Sequence, residues 1–176
     1  MFFTKENDTY ILKKYAVQKV TVSGVLDTES HGIPYIKISK LQKEKIKMNR
    51  CEKAVEFHKK GCNCAQAVAC VFADKLGYSE DEIFRLTEAF GGGMGGTQGV
   101  CGAVSAMAFV IGGVKSFGIE KLPETNKKES YSTAGQLMEE FKRRIGTIMC
   151  REIKCEKKYS CDQCIEEAVK ILEEAL

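Results

Sequence analysis

Val100-Cys101-Gly102-Ala103-Val104-Ser105-Ala106-Met107-Ala108-Phe109-Val110-Ile111-Gly112-Gly113-Val114-Lys115-Ser116 decides the fold class. The run lacks the alternation of a half-buried strand, and it is longer than a single buried strand. Its apolar heart, Ala103 to Val114, contains two glycines and is too short to cross a bilayer, so no membrane span is expected. The stretch predicts a buried helix, which needs other helices to cover it.

The flanking sequence supplies them. Beyond a polar loop through Pro123, the positions Tyr131, Ala134, Leu137, Met138, Phe141 and Ile145 mark a long amphipathic helix ended by Gly146. A short helix follows Thr147, and a last one spans about Asp162 to Leu176. On the other side, Gly91-Gly92-Gly93-Met94-Gly95-Gly96 reads as a loop, since each glycine costs a helix about 1 kcal/mol relative to alanine. Before it, Ser79-Glu80-Asp81-Glu82 is a capping box that opens a helix reaching Phe90. A further helix is expected from Asn63 to Leu76. A charged one, with Ile46, Ala54 and Phe57 among its apolar positions, is expected from Leu41 to Gly61.

Residues Tyr10 to Lys40 differ, being rich in Val, Ile, Thr and Tyr, with turns expected at Ser23-Gly24 and His31-Gly32 and two or three short strands between. The reading is therefore mainly α: a compact helical bundle over residues 41–176 with a short β-rich extension over residues 1–40. A docking element and a plain structural extension are both open for that segment.

Composition bounds the function. A chain of 176 residues with 44% hydrophobic side chains buries a core without disulfide staples. Its 27 basic and 24 acidic residues give a charge of +3 with no long basic run, which argues against nucleic acid as a partner. The locally basic stretch Lys40 to Lys60 alternates with apolar positions like the wet side of a helix. Nine cysteines, an odd number, accompany an amino terminus (Met1 to Tyr10) without a signal-like apolar stretch. The expectation is a cytoplasmic protein whose clustered cysteines are metal ligands or redox thiols.

Four cysteines follow helix-breaking or capping residues closely: Cys64 after Gly61 and Asn63, Cys101 after Gly99, Cys150 after Gly146 and Thr147, and Cys164 after Ser160 and Asp162. In the first turn of a helix, free N–H groups and the dipole favour a thiolate, ready to bind metal or attack a disulfide. Four such thiolates suit zinc or an iron–sulfur cluster. Cys51, Cys70 and Cys155 fit packing roles. Cys62, in Cys62-Asn63-Cys64, and Cys161, in Cys161-Asp162-Gln163-Cys164, sit where a resolving thiol or an extra ligand belongs.

Asn63-Cys64-Ala65-Gln66-Ala67-Val68, Phe90-Gly91-Gly92-Gly93-Met94-Gly95, Val100-Cys101-Gly102-Ala103-Val104 and Cys150-Arg151-Glu152 together resemble the C_GCAxxG_C_C family of redox-active proteins, over residues 45–170. The family's four characteristic cysteines map onto Cys64, Cys101, Cys150 and Cys164. The family is similar to the amino-terminal domain of split-Soret cytochromes, a helical domain associated with an iron–sulfur centre. The resemblance thus implies such a cluster here. The chain departs from the pattern at Ala106, where glycine usually closes the motif, and at Cys62, where an aromatic residue is common.

Gly91, Gly93 and Gly96 formally satisfy a dinucleotide fingerprint, but they follow a helix rather than a strand, and no Walker lysine follows. Two readings of this loop stand: its backbone N–H groups approach the sulfur atoms, making Gly91, Gly92, Gly93, Met94, Gly95 and Gly102 cofactor contacts, or it is a tight crossing that needs small residues. His31 and His58 carry no metal or triad motif, and His58 reads as an exposed residue on a charged helix. Met94, Met107, Met138 and Met149 read as packing residues.

Three functions remain. The first is electron transfer or redox sensing through an iron–sulfur cluster on Cys64, Cys101, Cys150 and Cys164. The second is thiol–disulfide exchange without metal, using Cys62, Cys64, Cys161 and Cys164. The third is a zinc-binding structural or storage module on the four thiolates. The expected partner is a redox protein or a small redox substrate. A homodimer through Gly102, Ala106 and Ala108 stands beside the alternative that this face belongs to the chain's own core.

Overall fold

A computed structural model describes residues 20–27, 35–43, 48–156 and 158–176, with side chains for 48–156 and 158–176. The chain divides between Lys47 and Met48. On the amino-terminal side, β1 (Val20–Asp27) and β2 (Tyr35–Lys43) pair antiparallel, with a register shift between Ser23 and Gly24. Ser23-Gly24 is therefore an irregularity inside a strand and not a turn. The turn expected at His31-Gly32 and the amino terminus from Met1 to Tyr10 lie outside the described residues. Among the described residues these strands pair only with each other. Two strands without a third layer are marginal in water, so the β-rich extension expected over residues 1–40 is not supported as a folded unit.

From Met48 onward the fold is helical. Helix α1 (Arg50–Lys59) starts at a capping box in which Asn49 accepts from Glu52 N and Glu52 reaches back to Asn49 N. It starts later than the expected Leu41, because this cap sets its start. The expected helix from Asn63 to Leu76 is two helices, α2 (Cys64–Cys70) and α3 (Ala73–Leu76), separated by Val71 and Phe72. Arg50 lies over the Phe72 ring at 4.9 Å and pairs with Asp74 at 2.7 Å, so the break also joins α3 to α1.

Helix α4 (Glu80–Thr87) opens at the Ser79–Glu82 capping box and passes through a 3-10 turn, Glu88–Phe90, into the glycine loop. The apolar run forms α5 (Gly102–Lys115), the amphipathic segment α6 (Lys127–Ile145), and Gly146 ends the latter at φ 100°. Helices α7 (Cys150–Glu156) and α8 (Cys161–Ala175) complete the chain.

Helix α2 lies inside the bundle. Ala65, Ala67, Val68 and Ala69 are fully buried, as are Gln66 and Cys70 to within a few per cent, and α1, α4, α5 and α8 pack around them. Buried Gln66 is satisfied by Asn63 N and Phe84 O. Helix α5 contributes Ala103, Val104, Ala106, Met107, Val110 and Ile111 to the core, α6 contributes Leu137, Phe141 and Ile145, and α8 contributes Ile165, Val169 and Leu172. Arg144 on α6 bridges Glu140, Glu167 and Glu174, tying α6 to α8. Gly102 and Ala106 face this core, so most of the face suggested for a second copy is taken within the chain. Tyr131, placed on the apolar side of α6 by periodicity, is 73% exposed.

Two substitutions test this packing by chemical denaturation. Phe141→Ala is expected to cost about 3–5 kcal/mol, as a large buried ring is lost. Ser160→Ala, which removes the side chain accepting from Gln163 N at the start of α8, is expected to cost about 1 kcal/mol. A Ser160→Ala protein as stable as the parent would contradict the cap.

Candidate metal and redox site

Four helix starts meet through their cysteines, and the local sequence explains how each start is held. At α2, Asn63 Oδ1 accepts from Ala65 N at 2.9 Å and Gln66 N at 3.0 Å, while Asn63 Nδ2 donates to Glu88 O at 2.9 Å. That last bond anchors Cys64 beside the turn leading into the glycine loop. Cys101 is itself the N-cap of α5, and the amides of Ala103 and Val104 favour its thiolate. The starts of α5 and α7 are stitched together: Cys101 N donates to Ile148 O at 2.8 Å, Cys150 N to Gly99 O at 2.7 Å, and Val100 bridges Met149. Ser160 and Gln163 form a capping box at α8, which places Cys161 first in the helix and Cys164 one turn on.

Charge is shared in pairs. A hydrogen bond from the Cys64 thiol pulls Cys161 down to about 6, against its burial, with His58 adding to the pull. Cys64, holding the proton, is pushed far up by that same bond and then by burial. Likewise a hydrogen bond from Cys164 lowers Cys101 to about 7, and Cys164 rises in return. Burial raises Cys150, opposed by Lys154, with Cys101 and Cys161 raising it further. Of these five sulfurs, Cys101, Cys150 and Cys164 are buried.

Histidine 58 is not the exposed residue expected from its charged helix. It is half-buried in the last turn of α1, with Nδ1 2.6 Å from Asp162 Oδ1. His58, Cys64 and Cys161 each offer a ligand atom within 4.8 Å of the other two, a group that can hold a metal ion. Sulfurs around a tetrahedral ion at 2.3 Å lie about 3.8 Å apart, so little movement separates this group from ligation. Cys101, Cys150 and Cys164, expected as ligands with Cys64, reach the same end of the bundle without joining this closest set. His58 and Asp162 were missed because their pairing spans 104 positions. The one local hint was an acidic residue inside the Cys161–Cys164 spacing.

The remaining cysteines lie apart. Cys62 acts on Cys70, whereas the thiols acting most on Cys64 are Cys161, Cys101 and Cys150. Burial pushes Cys70 up to about 12, and its Sγ donates to Glu80 O. Cys51 Sγ faces Glu166 O. Cys155, expected to pack, is exposed.

The glycine loop crosses close over the site. Gly92 to Gly96, Met94 included, all have φ between 60° and 76°. A Cβ on Gly93 would stand 2.8 Å from Cys150 Cβ, and one on Gly91 would stand 2.7 Å from the Asn63 side chain. The amides of Gly91, Met94, Gly95, Gly96, Thr97, Gln98 and Gly99 donate to backbone carbonyls. Close crossing explains Gly91 and Gly93, whereas a Cβ on Gly96 would meet open space, and among the loop's first residues only Gly92 and Gly93 keep amides outside this backbone network. Gly102 lies against the start of α2, where a Cβ would be 3.2 Å from Ala65 N and 3.4 Å from Cys64 Cβ. Met94 is 47% exposed at the loop's tip, while Met107 lies in the core.

Among the described residues no helix is long and apolar enough to cross a membrane. No curated protein and no solved structure matches the chain. Residues 62–175 match the family model described as "Putative redox-active protein (C_GCAxxG_C_C)", a span that holds all five sulfurs of the site and begins after His58. The chain belongs to the C_GCAxxG_C_C family.

Proposed function

We propose that this chain carries out electron transfer or redox sensing through a metal centre bound where its helix starts meet, the centre being an iron–sulfur cluster. The observation that carries the reading is the meeting of five thiols from four helix starts, two of them brought down to about 6 and about 7. The donor set fits the group: soft sulfur ligands, two already favouring the thiolate, in a largely buried site. Cys64, Cys101, Cys150 and Cys164 would hold the cluster, with Cys161 as a fifth thiol beside them. When bound, such a cluster supplies one-electron chemistry. Burial of Cys101, Cys150 and Cys164 would keep water from it, and the Ala103 and Val104 amides would face the Cys101 sulfur. Zinc suits the same donors and would make the site structural or a metal store. The partner is a redox protein or a small redox substrate, and the nine cysteines support a reducing, cytoplasmic setting.

Thiol–disulfide exchange is the second reading, favoured by the Cys161–Cys64 pair. The half-buried Cys161 thiolate attacks a substrate disulfide, forming a mixed disulfide while the departing substrate thiolate takes a proton. Cys64, once deprotonated, attacks the Cys161 sulfur and closes an internal disulfide. The second substrate thiol is released, with two electrons passed from protein to substrate.

Protein purified without oxygen is expected to be brown, to contain iron and acid-labile sulfide, and to lose both in Cys64→Ser and Cys101→Ser. Colourless, metal-free protein contradicts the cluster, and stoichiometric zinc favours the structural role. In reduced, metal-free protein, alkylation mapped by mass spectrometry is expected to reach Cys161 before the exposed Cys155 at pH 7. The Cys161 rate should rise through about pH 6, because its thiolate forms above that pH. A rate that stays low until alkaline pH would contradict the Cys64–Cys161 pairing.

A further inference from the structure

His58 precedes the residues matched to the family and follows no ligand motif, yet the fold brings it to two of the site's sulfurs. It sits in the last turn of α1, and Asp162 meets it from the first turn of α8. The contact is short, Nδ1 to Oδ1 at 2.6 Å. In the tautomer whose Nδ1 donates to a carboxylate, a neutral ring carries its lone pair on Nε2. A helix-to-helix polar contact explains the Nδ1 bond. It does not explain why a ring nitrogen also lies within 4.8 Å of both the Cys64 and Cys161 sulfurs. A carboxylate that holds an imidazole through one nitrogen, leaving the second for a metal, is how proteins fix a metal-ligating histidine.

We propose that His58 is a nitrogen ligand of the metal centre, on the same ion as the Cys64 thiolate and beside Cys161, with Asp162 as its positioning residue. The inference rests on the reading that a metal centre occupies this end of the bundle, and it changes that centre from all-sulfur to mixed imidazole–thiolate. Iron and zinc both accept such a set. On iron in a cluster, a neutral imidazole in place of a thiolate removes negative charge and raises the reduction potential. For zinc, His58, Cys64 and Cys161 would supply three of the four ligands it takes.

The test uses the full chain as the parent, His58→Ala and Asp162→Asn, with circular dichroism confirming the fold of each. Metal-free protein is titrated with cobalt(II), a coloured probe for zinc sites, against a competing chelator. Protein holding iron is reduced and read by pulsed electron paramagnetic resonance for nitrogen coupling. The parent is expected to show sulfur-to-cobalt charge transfer and coupling to a histidine nitrogen in whichever metal form it takes up. His58→Ala should weaken cobalt binding at least about 10-fold and abolish the coupling. Asp162→Asn should weaken binding about 10–100-fold while keeping the charge-transfer bands. Unchanged cobalt affinity and spectrum in His58→Ala overturns the proposal. So does parent protein that binds metal without nitrogen coupling, a readout that needs no variant to fold. Parent protein that takes up neither cobalt nor iron overturns the metal-centre reading itself.

Discussion

Helix α2 has no wet side, and the arrangement of the bundle follows from that. Ala65, Ala67 and Ala69 let neighbouring helices approach its axis closely, and burial of its backbone obliges its first amides to find partners inside the protein. Asn63 and Gln66 satisfy them, and Asn63 also fixes the turn before the glycine loop. Cys64, the first residue of this helix, is thereby held in the interior, where α5 and α8 bring their own first turns against it. A larger side chain at Gly102 would press on Ala65 N, and one at Gly93 would press on Cys150, so the glycines preserve the spacing between sulfurs.

Placing five thiols together in a poorly solvated space raises an electrostatic problem that the protein resolves in pairs. All five cannot ionise there, since each added negative charge opposes the next. Within each pair a hydrogen bond raises one thiol, Cys64 or Cys164, and lowers the other, Cys161 or Cys101, so the lowered partner ionises more readily. A cation would remove the need for protons on the raised thiols, and oxidation to disulfides would remove the charge altogether. A metal-thiolate centre and a dithiol cycle are thus two ways of discharging the same buried charge.

Much of the bundle was legible because its signals are local. The apolar run read as α5, the Ser79–Glu82 box and the stop at Gly146 each depend on residues within a turn or two of one another. Other local features escaped because their signals were ambiguous. The Asn49–Glu52 box starts α1, yet it lay inside a charged pattern already assigned to helix, and Val71-Phe72 interrupts an apolar periodicity without glycine or proline. The strand irregularity at Ser23-Gly24 looked like a turn because glycine and serine serve both. Among the candidate site residues, the helix-start positions of Cys64, Cys101, Cys150 and Cys164 were readable from the capping or helix-breaking residues close before them. That Cys161 faces Cys64 and Cys164 faces Cys101 depends on α8 packing across α2 and α5, and the His58–Asp162 contact on α8 meeting α1. Such pairings carry no mark in the local sequence.

The central claim is geometric: the cysteines pair across helices and not along them. Mild oxidation of the folded, reduced, metal-free chain, followed by peptide mapping of the bonds formed, tests it most directly. The account predicts disulfides joining Cys64 to Cys161 and Cys101 to Cys164. Bonds confined to sequence neighbours, Cys62 with Cys64 or Cys161 with Cys164, would contradict it.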